Sequence, residues 1–183
     1  MPSITATNAA DPASIGWSTI SNFNGEADGN LTSLLFADEQ YVILCDINLS
    51  AVSAAPTFVI RCRSTGGANQ AEVTSVSFGD AANDGASVGG NVVATLSGLA
   101  LEIPSSLGDV TVDVSSLSLV QIQSIRSADI QMRDANASGG QTVVADSLTI
   151  TYTEAGSRTS KLNLSLLSES RLSTSRLSTD RLS

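Results

Sequence analysis

Apolar residues in this chain recur every second position, and that period restricts it to β architecture. Tyr41, Ile43, Cys45, Ile47 and Leu49 share one parity of a nine-residue run. In Thr57–Arg63, Phe58, Ile60 and Cys62 point one way, and Val59, Arg61 and Arg63 the other. Further short strands are expected at 73–78, 91–96, 99–103 and 110–114, and longer ones at 124–133 and 142–152. In the last, Val144, Leu148, Ile150 and Tyr152 share parity. Turn pairs punctuate these runs: Asn24-Gly25, Asp28-Gly29, Gly66-Gly67, Asp84-Gly85, Gly89-Gly90 and Gly139-Gly140. No window carries a convincing helical stripe. The expected fold is all-β: an antiparallel β-sandwich, jelly-roll-like, formed by residues 1–156.

Aromatic residues make up only 4% of the chain, so its core must be built from Val, Ile, Leu and Ala. Cys45 and Cys62 each lie inside an apolar run and read as buried free thiols; a disulfide between neighbouring strands is the lesser alternative. Lys161 is the one lysine. Strand edges must therefore be protected by Asp, Asn or Arg, or be covered by a partner.

The chain has no histidine, which removes Ser-His-Asp, Cys-His and imidazole-zinc chemistry. Nine basic residues against eighteen acidic ones argue against nucleic-acid binding. The charge is split. Residues 1–156 hold sixteen acids and four bases, a net of -12, while residues 157–183 hold two acids and five bases, a net of +3. Such asymmetry marks an interaction segment. The N-terminus has neither the basic nor the apolar region of a signal peptide, and no run approaches the length of a membrane helix. No membrane partner is expected.

The segment Trp17–Asn30 resembles the opening of a β-sandwich domain common in phage virion proteins, through Trp17, Asn22, Glu26, Asp28 and Gly29, with Phe23 where the family has Ala. Phe58–Arg63 is similar to that family's Val/Arg strand, Ser87–Asn91 to its hairpin and Ala145–Tyr152 to its closing strand. The chain departs from the pattern at Leu107-Gly-Asp109 and Ala128-Asp-Ile130. The resemblance covers residues 15–154 and implies a non-enzymatic virion structural protein.

The C-terminal segment, 157–183, has a period of five. Leu162, Leu167, Leu172, Leu177 and Leu182 repeat, and Arg171, Arg176 and Arg181 precede the last three. On an α-helix this period turns successive leucines by about 140°, and on a strand it alternates their faces. The pattern is similar to pentapeptide repeats, but five pentads are too few to stack alone. Two readings stay open: a disordered Ser/Thr-rich extension, or an arm ordered by assembly. Extended, its 27 residues reach about 90 Å, far enough to touch a neighbouring subunit.

These features lead to a capsid decoration (cement) protein as the expected function. It would assemble as a homotrimer in the virion with the major capsid protein as partner, and those leucines and arginines would form the contact. The alternatives are a phage tail or fibre component and a carbohydrate-binding adhesin module. Glu26, Asp28, Asp38 and Glu39 could ligate calcium on a loop. They read more simply as solvated turn residues, so no metal or cofactor is expected. Nothing singles out two acids as a glycosidase pair. Trp17, ahead of the first long strand, is the candidate ligand-facing aromatic.

Overall fold

The computed structural model describes residues 1–12, 17, 20–23, 32–35, 41–65, 71–134 and 142–153. The expected assembly arm, 157–183, and the acidic group at Glu26, Asp28, Asp38 and Glu39 lie outside these residues.

Among the described residues, ten strands form two antiparallel sheets. They are β1 (Ser3–Thr5), β2 (Thr7–Ala10), β3 (Thr32–Leu35), β4 (Tyr41–Asp46), β5 (Thr57–Thr65), β6 (Ala71–Ala81), β7 (Gly89–Glu102), β8 (Gly108–Val112), β9 (Ser127–Asp134) and β10 (Thr142–Thr151). One sheet runs β1-β10-β5-β8, with β3 also on β10; the other runs β2-β4-β9-β6-β7. The expected antiparallel sandwich is what the chain forms.

Period-two patterning sets the inner faces. Ile43, Cys45, Ile47 and Leu49 are buried in the core, as are Phe58, Ile60 and Cys62 opposite them. Ile47 and Leu49 lie beyond the end of β4, yet their N–H groups still donate to the carbonyls of Arg126 and Ile125 at 2.9 and 3.3 Å. The Phe58 and Phe78 rings join the two sheets edge to face, 5.4 Å between centroids. Cys45 and Cys62 are buried free thiols.

Three local features depart from the expected pattern. A register shift between Ala145 and Ser147 makes Asp146 an extra residue in β10. It reverses the parity of the strand: Val143 and Ala145 face the core before it, Leu148 and Ile150 after it. Val144 therefore does not share a face with Leu148 and Ile150. The runs 91–96 and 99–103 merge into the single strand β7, because Gly98 takes φ +70° and is absorbed as an irregularity in the ladder. The expected strand at 124–133 starts only at Ser127. Before it comes a short helix, α1 (Leu119–Ser124), closed by a capping box in which Ser118 Oγ accepts from the Gln121 N–H and Gln121 Oε1 accepts from the Ser118 N–H.

The chain passes between the sheets at Ala6, which is buried and whose N–H donates to the Leu148 carbonyl at 3.0 Å. That crossing closes the β1/β2 side of the sandwich. β7 and β8 lie on the other side.

Candidate functional site

Trp17 does not face a ligand. It is 7% exposed, joins the core cluster and donates from Nε1 to the Val42 carbonyl at 3.0 Å. The indole satisfies a backbone acceptor on β4 while its ring fills apolar space, so burial outweighs display. Phe23, Phe58 and Phe78 are also buried, and Tyr152 is half-buried against the core. These five rings are used for packing.

The chemistry available on the surface is polar and aliphatic, and it gathers on the outer face of β4, β9, β6 and β7. Because Ala128, Ile130 and Met132 point inward, alternation turns Asp129, Gln131 and Arg133 outward. The ladder aligns Leu44, itself buried, with Asp129 and Ser77 across three strands, and Thr95 lies opposite Ser77 on β7. The next outward row is Val42, Gln131, Ser75 and Ser97. Ser77 and Thr95 share a hydroxyl hydrogen bond of 3.1 Å, Ser75 Oγ donates to Gln131 Oε1 at 2.9 Å, and Thr74 Oγ1 donates to the Gln131 carbonyl at 3.3 Å. Arg133 and Glu72 close the rim, with Arg133 Nε donating to Glu72 Oε1 at 2.7 Å.

Asp129 is the unusual member of this stripe. Its Oδ1 is shielded from water and has no hydrogen-bond partner. Desolvation holds its carboxyl above the usual carboxylate range, opposed by a hydrogen bond with the Gln131 side chain. A carboxylate in this condition costs stability. Sequence reading missed it. Its outward parity was legible, but its shielding comes from strands distant in the chain.

A second feature is an open cleft of about 340 Å³ where the sheets meet, lined by Ile4, Thr5, Thr7, Asp46, Ile47, Asn48, Ala82 and Arg126. Its charged groups already hold the fold together. Asp46 accepts from Asn8 and twice from Asn83. Arg126 Nη1 donates to the carbonyls of Gln123 and Ile125 at 2.8 and 2.7 Å. The cleft is therefore a structural junction rather than the stronger site.

On the opposite sheet, Arg61 lies between Asp109 at 3.0 Å and Asp146 at 3.5 Å. No group of three or more potential metal ligands occurs among the described residues. No helix of the described residues is long and apolar enough to cross a membrane.

No family model matches the chain, and no curated protein matches it. Solved structures do. The structure of TmCBM61 in complex with β-1,4-galactotriose aligns at TM-score 0.38 and 10% identity, covering 79% of this chain and 87% of the other. The N-terminal cellulose-binding domain of Cellulomonas fimi β-1,4-glucanase C aligns at TM-score 0.37 and 12% identity, covering 80% and 88%.

Proposed function

We propose that this chain is a non-catalytic β-sandwich binding module whose outer β4-β9-β6-β7 face takes a neutral carbohydrate. The observation that carries this reading is the outward row of hydroxyl and amide groups that β6, β7 and β9 align beside Asp129: Ser75, Ser77, Thr95 and Gln131. Sugar hydroxyls both donate and accept. They can pair with the hydroxyl and amide groups of Ser75, Ser77, Thr95 and Gln131. The half-buried Val42 beside them supplies aliphatic surface for the pyranose C–H face. The -12 net charge of residues 1–156 repels uronate and sulfate chains, which favours neutral glycans. With Trp17, Phe23, Phe58, Phe78 and Tyr152 committed to packing, affinity rests on hydrogen bonds, and a Kd of about 0.1–1 mM is expected. A glycan array followed by calorimetry tests the reading: at least one neutral oligosaccharide binds, and Thr95→Ala/Gln131→Ala abolishes the heat. An array with no neutral ligand overturns it.

A second reading has its own support in the charge split and the pentad arm: a virion structural protein whose +3 arm straps a neighbouring acidic body. Here Leu162, Leu167, Leu172, Leu177 and Leu182 supply buried area, and Arg171, Arg176 and Arg181 pair with carboxylates. The two roles are compatible in a particle-borne adhesin. Deleting residues 160–183 is expected to leave glycan binding intact and remove occupancy on particles. Full occupancy without the arm excludes the second reading.

A further inference from the structure

We propose that two copies of this chain associate edge to edge along β7. This strand is 14 residues long and ends its sheet; among the described residues no strand pairs with its outer side. From Gly89 to Leu101 it contains no charged residue and no proline. Soluble proteins usually protect such an edge with Lys, Pro or an inward charge, because its free N–H and C=O groups recruit another strand.

The distribution of exposed apolar groups agrees. Met1 aside, the large hydrophobic side chains exposed among the described residues are Val92 at 60%, Leu119 at 40% and Val120 at 76%. Val92 is on β7. The other two are on α1, which contacts β7. They therefore cluster on one side of the sandwich and flank the open edge.

Electrostatics selects the occupant. Two acidic bodies repel wherever carboxylates meet, and β7 offers a long charge-free line along which a second copy can approach. The chain's own arm fits this edge poorly. Its five-residue period throws successive leucines onto opposite faces of a strand, and its arginines find no acid between Gly89 and Leu101. Self-pairing of one edge about a two-fold axis is isologous and closes at the dimer.

Sedimentation velocity of the full chain over about a hundredfold concentration range tests this. The mass is expected to rise from 18.7 kDa to twice that value. The double variant Val92→Lys/Val120→Lys, changed only at exposed positions, is expected to associate at least about tenfold more weakly, since like charges then face each other across the joint. A wild-type chain that stays monomeric overturns the proposal, as does a folded double variant that associates as well as wild type. Hydrogen exchange on the wild type provides a readout independent of the variant. Amides of residues 91–97 are expected to gain protection as concentration rises, and unchanged exchange there contradicts the β7 interface.

Discussion

Asp46 Oδ1 accepts two hydrogen bonds from Asn83, one from the backbone N–H at 2.7 Å and one from Nδ2 at 2.8 Å. Its Oδ2 accepts a third from Asn8 Nδ2 at 2.9 Å. Asn8 has φ +50° and its carbonyl accepts from Asn83 Nδ2, so one carboxylate ties β2, the end of β4 and the loop after β6. Hydrogen bonds to a charged group each contribute about 1.5–3 kcal/mol. Asp46→Ala is expected to lose roughly 3 kcal/mol in urea unfolding. A loss below about 1 kcal/mol would show that the clamp is dispensable.

Asp129 is expected to behave in the opposite way. Its carboxyl is raised by desolvation, so its protonated form is favoured by folding. The stability linked to that proton is present below the unfolded carboxyl pKa and lost as pH rises through the folded value. At pH 7 the ionised group is therefore a burden. Asp129→Asn is expected to raise the thermal midpoint at pH 7, with the gain shrinking on acidification. A midpoint lowered at pH 7 would contradict desolvation as the cause of the raised carboxyl.

The two thiols set the alkaline limit. Burial, with Asp109 adding, pushes Cys62 from the usual 9.0 up to about 12. Burial pushes Cys45 higher still, with Asp46 and Asp129 adding. Both contributions are complete below pH 9 and are lost as pH rises from the unfolded value toward the folded one. Each thiol is expected to remove up to about 1.4 kcal/mol of stability per pH unit above pH 9. The variant Cys45→Ala/Cys62→Ala is expected to show a shallower decline in chemical denaturation between pH 8.5 and pH 10.5. An unchanged slope contradicts thiol control of that limit.

Gly89 is held by close approach rather than by a turn. A Cβ there would collide with the carbonyl of Ala82. Its N–H donates to the buried Ser127 Oγ at 3.1 Å. Gly89→Ala is expected to cost at least about 2 kcal/mol by forcing the β6–β7 end apart. Gly85→Ala, at φ +84° but in open space, is expected to cost about 1 kcal/mol from backbone strain alone. Equal costs in thermal unfolding would contradict the steric account.

The strands with strong alternation were legible because each buries one face: Ile43 and Cys45 on β4, and Phe58, Ile60 and Cys62 on β5, faced the core as their parity dictated. β1, β2 and β3 were not, since Ser3–Ala10 and Thr32–Leu35 are short and without clean alternation. Gly98 and Asp146 defeated reading by period because an irregularity resets the count, and only the partner strand shows where. The S-x-x-Q pattern at Ser118–Gln121 did carry the α1 start. Trp17 was misplaced because its sequence position says nothing of the Val42 carbonyl it caps. The candidate site depends on which outward residues the ladder aligns, and that is a tertiary property.

The central claim is that ligand meets the Asp129 stripe. A two-dimensional amide NMR titration with the strongest neutral oligosaccharide from the array tests it most directly. The account predicts shifts concentrated at Ser75, Ser77, Thr95, Asp129 and Gln131, with Arg61, Asp109 and the residues of the Asp46 cleft unmoved. Saturable shifts centred on the cleft or on the Arg61 face, with the Asp129 row unchanged, would contradict it.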